Sequence, residues 1–454
     1  MTLTLEAAAK ATAATVRYPE RFPAQLRVAT DTRTLRSGDT FLALRGEHFD
    51  GHTYVEAAVR LGAAALVIDE PQAQLENVPT LLVEDTKRAF MALAETVRSE
   101  YRGRVVAITG SAGKTTTKYL LAQLLGAGYG DARVLASPGN ENNEIGVSKL
   151  LLRATDEYEA IVVEMGARHE GEIAELVALA HPHVGVLTNI GEAHLETFGS
   201  HEALAQTKWG LFCEGAQAVL NAGDDISRRR AGELATPARW FGVGEPGELP
   251  GVYVVDDRTL AITDGSHPQR ANVQTRLPGA HNLANLAAAI AAAQVLGVSL
   301  ETIVEALPGL RLPAGRYESI EAAGSPRIIY DAYNANLSGM LAALDAFASE
   351  RGERRIAVLG SMAELGPGAA AMHERVGERA ATAADTLLVG GEYAESLARG
   401  AERAGLSSKR IVRFATNAEA SHWLRENTND EDVVLLKGSR IYKLEEIVRE
   451  LHAS

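Results

Sequence analysis

A short glycine-rich segment from Gly110 to Thr115, GSAGKT, has the residue types and the spacing that bind nucleotide phosphates. It follows an apolar run from Val105 to Ile108, which predicts a buried strand, and it precedes a run typical of a helix. Backbone N–H groups in such a turn point into one concavity at the positive end of the helix, where they bind phosphate. Lys114 would reach the β- and γ-phosphates, and the Thr115 hydroxyl would ligate Mg²⁺.

The spacing of this loop is more compact than that of the usual phosphate-binding motif. The usual pattern has four residues between its first glycine and its Gly-Lys pair, and that count places Ile108 at the first position. The loop is therefore a variant of the form TGxxGKT[ST]. The residues expected to bind nucleotide here are Gly110, Ser111, Ala112, Gly113, Lys114, Thr115 and Thr116.

Two other predicted strands end beside polar side chains. Glu164 ends the apolar run from Ile161, and His194 follows the run Val184–Leu187. Open α/β sheets bind ligands at the carboxyl ends of their parallel strands, so these ends should converge. Glu164 is a candidate ligand for Mg²⁺. A metal-binding role is favoured for His194 by its position, although a single histidine more often has a structural role.

Further polar positions carry weaker signals. Asn282 and Asn285 share one helix face, where their amides could contact an adenine edge or cap the helix. Asp31, Arg33 and Gly46 stand at strand edges, where loop residues often meet ligand, although ordinary loop polarity explains them equally well.

The order of elements predicts a mixed α/β fold. Apolar strands alternate with helices along most of the chain, which favours parallel sheets with helical crossovers. We expect a small N-terminal α/β domain over 1–98, a central domain with the phosphate loop over 99–312, and a C-terminal doubly wound domain over 313–454.

The composition restricts the class of protein. A net charge of −14 over 454 residues argues against nucleic-acid binding, which needs clustered Lys and Arg. The single cysteine, Cys213, excludes an internal disulfide and fits a reducing cytoplasm. We find no signal peptide and no apolar run long enough to span a membrane, so a cytoplasmic protein without membrane insertion is expected.

These motifs together resemble the Mur ligase family across essentially the whole chain. The segments and residues that carry the resemblance are TGSAGKTTT, Glu164, His194, HNLANLAAA, Arg316 and Asp331. Members of this family use ATP to activate a carboxylate as an acyl phosphate, which an amine then attacks. The resemblance implies an N-terminal domain that binds a UDP-sugar, a central ATP-binding domain, and a Rossmann-like C-terminal domain that binds the incoming amine.

The resemblance also implies roles for individual residues in catalysis and metal binding. Lys114 would hold the ATP phosphates and polarise the γ-phosphate. Thr115 and Glu164 would bind a first Mg²⁺. His194 would bind a second Mg²⁺ together with Lys208, which the family carbamylates and so converts from a cation into a bridging anion.

The substrates would occupy two further sets of residues. Those implied for ATP are Asn282 at adenine, Arg316 near the phosphates, Asp331 at the ribose hydroxyls, and Tyr333 and Asn334 along the pocket. Those implied for the UDP-sugar are Asp31, Arg33, Gly46, His52 and Asn143.

Within the family, GNENNEIGV, YNAN and KGSR are most similar to the MurF branch. That branch joins D-alanyl-D-alanine to UDP-N-acetylmuramoyl-tripeptide, and we expect a monomer. Three positions, Trp209, Leu337 and Ser361, depart from its usual pattern, which at the last of them has an acid. Two alternatives therefore stay open: a related ligase that adds another amino acid or dipeptide, and an inactive nucleotide-binding scaffold.

Overall fold

The structure, a computed structural model, describes residues 3–46, 49–191, 198–322 and 324–452. Its residues form two compact units. The first consists of Met1–Ala107, Tyr129–Gly166 and Ile173–His183, and the second of Ile108–Gly128, Ala167–Glu172 and Val184–Ser454. The predicted domain boundaries at residues 98 and 312 stay predictions.

The first unit contains a five-stranded sheet near the N-terminus. From edge to edge its strands are Thr15–Arg17, Thr80–Leu82, Ala65–Ile68, Thr40–Leu42 and Val28–Ala29, all parallel except the first. Its helices are Leu5–Thr12, Val55–Arg60 and Thr86–Glu100. Phe41, Leu66 and Ile68 pack with Val55 in an apolar core, which explains why these short strands are almost wholly apolar. A short hairpin, Arg45–Gly46 with Phe49–Asp50, follows the sheet.

The strand Arg104–Thr109 is shared between the two units. In the first unit it leads to Ala160–Glu164 and then to the edge strand Val134–Ala136, which pair in parallel. In the second unit the order from this strand outward is Val184–Leu187, Gln217–Asn221, Arg239–Val243, Gly251–Val254, Thr259–Thr263 and Gln269–Asn272. The pairs from Val184–Leu187 to Gly251–Val254 are parallel, and the last three strands form an antiparallel meander.

The helices that connect these strands follow the phosphate loop and the later strand ends. They are Lys114–Tyr129, Glu144–Leu151, Glu172–Ala180, His201–Trp209, Asp225–Arg230, Ala280–Val295 and Leu300–Ala306. The helix that holds Lys208 ends at Trp209 and continues as one 3₁₀ turn, Gly210–Phe212. Among the described residues, no helix combines the length and the apolar character that crossing a bilayer requires.

A six-stranded sheet completes the second unit. Its order is Glu318–Ile320, Arg327–Tyr330, Val433–Lys437, Arg355–Gly360, Thr386–Gly390 and Ile411–Phe414, parallel except for the first pair. Its helices are Leu337–Phe347, Ala369–Ala383, Ala394–Arg403, Asn417–Asn427 and Glu445–His452. Ile329 and Leu435 face one apolar core, whereas Ile328 and Val434 face the other. Both faces are therefore covered, and the predicted α/β fold with parallel sheets is confirmed.

Candidate active site

The phosphate loop has two glycines that its surroundings require. Gly110 and Gly113 have φ angles of +151° and +82°. A Cβ atom at Gly110 would lie 1.9 Å from Thr188 Oγ1, and one at Gly113 would lie 2.2 Å from Asn285 Oδ1. Any side chain would therefore collide with a neighbour in addition to straining the backbone. The helix predicted to follow the loop begins within the loop motif, at Lys114, and extends to Tyr129.

The segment after strand Val184–Leu187 holds this loop in shape. Thr188 donates its hydroxyl to the Ala112 carbonyl at 2.5 Å, and its N–H to Thr109 O at 3.0 Å. Asn189 accepts the Ala112 N–H at 2.9 Å through its side chain. Gly191 N donates to Ser111 Oγ at 2.9 Å. These supporting contacts are not evident in the sequence, because the residues at a strand end do not reveal which loop they will contact.

Two lysines meet at one backbone oxygen of the loop. The Nζ atoms of Lys114 and Lys208 donate to Gly110 O at 2.7 and 3.3 Å. Lys208 is only 2% exposed. Burial, together with the nearby Lys114 cation, holds the pKa of the Lys208 amine well below its ordinary value. The environment therefore favours a neutral amine, and a neutral lysine amine is a nucleophile.

Arg316 lies beside the start of the helix Lys114–Tyr129. Its Nη2 donates to Thr115 Oγ1 at 3.5 Å, and its guanidinium stacks over the Tyr333 ring, 4.5 Å from the centroid. Its Nε is buried and has no hydrogen-bond partner within the described part of the chain. A buried cationic donor without a protein partner, beside the first helical turn, fits a phosphate ligand.

Asp331 is engaged by two partners. It accepts Lys437 Nζ at 2.7 Å and Tyr317 N at 3.2 Å. Lys437 itself is 3% exposed, so the pair is buried. His281 lies against the Tyr317 ring, and burial lowers the pKa of its imidazole while the Asp331 charge opposes that shift. The sequence indicated a polar loop at Lys437 but not this partnership.

Two amides of the predicted nucleotide set have internal partners. Asn282 donates Nδ2 to Pro278 O at 2.9 Å, as a helix-start contact would, and Asn334 Oδ1 accepts Ala335 N at 2.8 Å. Asn285, which the sequence placed on the same face as Asn282, instead lies at the phosphate loop. Its Oδ1 accepts the Thr117 hydroxyl at 3.3 Å.

Glu164 belongs to the first unit and is 1% exposed. It accepts Asn142 Nδ2 at 2.9 Å, and its backbone N–H donates to Ser137 Oγ at 3.0 Å. Asn143 caps the helix Glu144–Leu151 by accepting Gly146 N at 3.0 Å. A carboxylate fixed in this way at a strand end is an oxygen ligand of the kind that Mg²⁺ takes.

The predicted UDP-sugar residues lie in the first unit. Arg33 binds Asp31 at 2.6 Å and holds the pKa of that carboxyl at about 2. His52 is buried, with Nδ1 at 2.7 Å from Asp50 Oδ1 and Nε2 accepting Asp69 N at 3.3 Å. Both ring nitrogens are therefore occupied within the domain. Gly46 lies under the Phe49 ring, where a Cβ would come within 2.3 Å of Phe49 Cε1.

His194, the predicted ligand of the second Mg²⁺, belongs to the segment 192–197, which is outside the described residues.

Models of three protein families match the chain in order. They are the Mur ligase family catalytic domain over 27–100, the Mur ligase middle domain over 108–293, and the Mur ligase glutamate ligase domain over 315–440.

Relatives in sequence agree with these matches. The UDP-N-acetylmuramoyl-tripeptide--D-alanyl-D-alanine ligase of Escherichia coli is 36% identical over 93% of this chain and 93% of its own. The protein of the same name from Bacillus subtilis is 34% identical over 93% of this chain and 92% of its own.

Solved structures give the same result. The crystal structure of MurF from Acinetobacter baumannii superposes with a TM-score of 0.87 at 30% identity, covering 100% of this chain and 99% of that one. MurF ligase from Thermotoga maritima in complex with ADP gives a TM-score of 0.79 at 29% identity, covering 94% and 96%. Because the family models span most of its residues and relatives align along nearly its full length, the chain belongs to the Mur ligase family.

Proposed function

We propose that this protein is an ATP-dependent ligase that joins D-alanyl-D-alanine to UDP-N-acetylmuramoyl-tripeptide in peptidoglycan precursor synthesis. The products are UDP-N-acetylmuramoyl-pentapeptide, ADP and phosphate. The observation that carries the proposal is the phosphate loop with Lys114 and Lys208 on one carbonyl, in a chain 36% identical to a ligase of that name. The reaction class is that of an acid–amino-acid ligase.

The chemistry explains why such a loop is needed. A carboxylate is a poor electrophile, so its oxygen attacks the γ-phosphorus of ATP, and ADP leaves. The amine of the dipeptide then attacks the acyl carbon, phosphate leaves, and the ammonium loses a proton. Lys114 and Arg316 offset negative charge on the transferred phosphoryl group, where a fixed cation stabilises the transition state more than the ground state.

The ATP site would use residues around the same helix start. The loop N–H groups from Gly110 to Thr116 would bind phosphate, and Arg316 has an unsatisfied buried N–H beside Thr115. Asn282 at adenine, Asp331 at the ribose, and Tyr333 with Asn334 along the pocket complete the proposed set. The ADP complex of the Thermotoga maritima relative supports nucleotide use.

We assign Mg²⁺ to two sites by the chemistry of the donors. The Thr115 hydroxyl and the Glu164 carboxylate would hold the first ion. His194 and Lys208 would hold the second once the neutral Lys208 amine has attacked CO₂, formed an N–C bond and lost a proton to give a carbamate. Bound Mg²⁺ would supply charge neutralisation at the phosphates. The fit rests on Lys208, whose buried surroundings disfavour the ammonium form.

The donor substrate would bind through the first unit. Asp31, Arg33, Gly46, His52 and Asn143 are the proposed UDP-sugar residues, with Arg33 able to exchange its Asp31 partner for a phosphate. We further propose domains at 1–98, 99–312 and 313–454, a monomer, and a cytoplasmic location, where both substrates and ATP would be available.

The test is phosphate release from ATP and Mg²⁺ with both proposed substrates, followed by product mass. Turnover that needs both substrates, with a mass gain of one dipeptide less water, supports the proposal. Turnover without dependence on D-alanyl-D-alanine would point to another amine. No turnover despite nucleotide binding would favour the scaffold.

A further inference from the structure

A cavity of about 570 Å³ lies in the second unit, beside the carboxyl ends of Gln217–Asn221 and Arg239–Val243. Its volume is in the range of small-molecule sites. None of the residues proposed above for ATP, metal or UDP-sugar lines it. Ala222, Leu249 and Ala284 supply apolar wall, together with the buried Tyr253, whose hydroxyl is fixed by donation to Leu249 O at 3.0 Å.

Two opposite charges at this cavity lack protein partners. The Arg228 guanidinium and the Glu248 carboxylate both line it, and neither makes a side-chain hydrogen bond or ion pair with any residue that the structure describes. The other carboxylate that lines the cavity, Glu245, does have a partner, because it pairs with Arg270. The cavity therefore offers a free donor fork and a free acceptor on a partly apolar surface.

The cavity connects to the phosphate loop through one line of hydrogen bonds. Asn221, in the cavity wall, donates Nδ2 to Thr188 O at 2.8 Å. Thr188 in turn donates its hydroxyl to Ala112 O in the loop at 2.5 Å. A ligand that moves Asn221 therefore displaces a group that directly fixes the loop.

We propose that this cavity is a second binding site for a small zwitterion, an amino acid or a short apolar peptide, whose binding changes the affinity of the phosphate loop for nucleotide. A carboxylate would pair with Arg228 and an ammonium with Glu248, leaving the apolar part against Tyr253. A ligand with a single charge would pair with only one of the two side chains and leave the other hydrated, because Arg228 and Glu248 are both exposed. The coupling between the cavity and nucleotide affinity rests on the nucleotide site of the proposed function, whereas binding of the zwitterion at the cavity does not.

Binding is tested by calorimetric titration of the full chain with L-alanyl-L-alanine, whose configuration differs from that of the proposed acceptor. Arg228→Ala and Glu248→Gln should each weaken binding about tenfold or more, the loss expected for one charge-assisted contact. Arg229→Ala is the matched control, because Arg229 neighbours Arg228 without lining the cavity. N-acetylation or C-terminal amidation of the probe should weaken binding similarly. Undetectable binding, or equal affinity in all variants, overturns the site.

Coupling is tested by ADP titration with and without saturating dipeptide. The ADP dissociation constant should change about fivefold or more, as in ordinary allosteric pairs, and Asn221→Ala should abolish the change. Equal ADP affinity in both titrations overturns the coupling. Failure of the proposed function is distinguishable, because the turnover assay with both proposed substrates decides that function. The dipeptide titration decides the cavity whether or not turnover is seen, and wild-type protein that binds no ADP would overturn the nucleotide site itself.

Discussion

Lys114 and Lys208 donate to the same acceptor, the Gly110 carbonyl, from two helices that are far apart in the sequence. Two cations on one oxygen repel each other, and burial removes the water that would screen them. The structure relieves the repulsion at Lys208, where the charged form is disfavoured. The Lys208 amine, whose neutral form is favoured in this way, is therefore a candidate for modification.

Replacing Lys114 should abolish ligation and leave the fold intact. In Lys114→Ala the phosphoryl group loses its nearest cation, and we expect turnover to fall about a thousandfold, the loss typical of a removed transition-state donor. Steady-state phosphate release measures it, with circular dichroism to verify folding. Lys409→Ala, which removes an exposed lysine, is the control. Near-normal turnover in Lys114→Ala would falsify the phosphate-loop assignment.

Lys208 should be required as a carbamate and not merely as an amine. Lys208→Ala should lose activity that acetate or formate partly restores, because a small carboxylate can occupy the vacated space and supply the missing anion. Lys208→Met keeps the buried stem but leaves no such space, so it should stay inactive with added carboxylate. Turnover assays with and without acetate distinguish the two variants. Full activity in either variant would remove the carbamate role.

The same lysine sets an expected pH dependence. Only the neutral amine reacts with CO₂, and the lowered pKa of Lys208 increases the fraction of that form at a given pH. As pH falls through this pKa, protonation of the amine should shift the equilibrium from the carbamate towards the ammonium form and free CO₂. Activity should therefore drop, and the concentration of bicarbonate needed to restore it should rise. Turnover measured against pH at two bicarbonate concentrations tests this. A loss of turnover at low pH that is the same at both bicarbonate concentrations would contradict this prediction.

Gly113→Ala should weaken nucleotide binding for two separable reasons. The φ of +82° costs alanine about 1–2 kcal/mol, and the new methyl would collide with Asn285 Oδ1. We expect the ADP dissociation constant to rise at least about tenfold, equivalent to 1.4 kcal/mol. Asn285→Ala in the same chain should recover part of the loss. Gly139→Ala is the control, because φ at Gly139 is also positive but a Cβ atom added there would have no neighbouring atom within 4 Å.

The fold was predictable where strands are buried on both faces. Runs such as Val433–Lys437 are almost entirely apolar, so they are visible in the sequence. Edge strands such as Val134–Ala136 and Ile411–Phe414 contain half-exposed residues and have a weaker apolar signal, so they are not evident in the sequence. Edge position is decided by the sheet and not by the segment itself.

The site was predictable where the chemistry is local. Lys114 follows from its own loop, because the glycines, the lysine and the helix start are contiguous. Lys208 does not, because a helical lysine is normally solvated and its burial depends on distant packing. The partnership of Asp331 with Lys437 joins residues 106 positions apart, so neither neighbourhood reveals it.

Breaking that partnership should cost stability. Lys437→Met leaves the Asp331 carboxylate buried without its cation, and we expect a loss of about 3–5 kcal/mol in the free energy of unfolding. Chemical denaturation measures it. Adding Asp331→Asn should restore a part, because the uncompensated charge is then gone. Arg60→Met, which breaks an exposed pair with Glu56, is the control and should change stability by less than about 1 kcal/mol.

Ser361 replaces the acid usual in the MurF branch, and its hydrogen bonds explain why serine is accommodated. Its hydroxyl donates to Gly390 O at 3.2 Å and accepts Tyr393 N at 2.9 Å, linking the ends of two neighbouring strands. The residue is fully buried. Gly391 presses against it, since a Cβ there would lie 2.7 Å from Ser361 Oγ.

A carboxylate at this position can accept the Tyr393 N–H but cannot donate to Gly390 O. Ser361→Asp should therefore place two acceptors face to face in a buried site and lower the free energy of unfolding by about 1–3 kcal/mol or more. Ser361→Ala should cost a similar amount, because it removes both of these hydrogen bonds. Urea denaturation of the two variants and wild type measures this. An aspartate variant as stable as wild type would show that the loop adapts to either residue, so that Ser361 is neutral variation within the family.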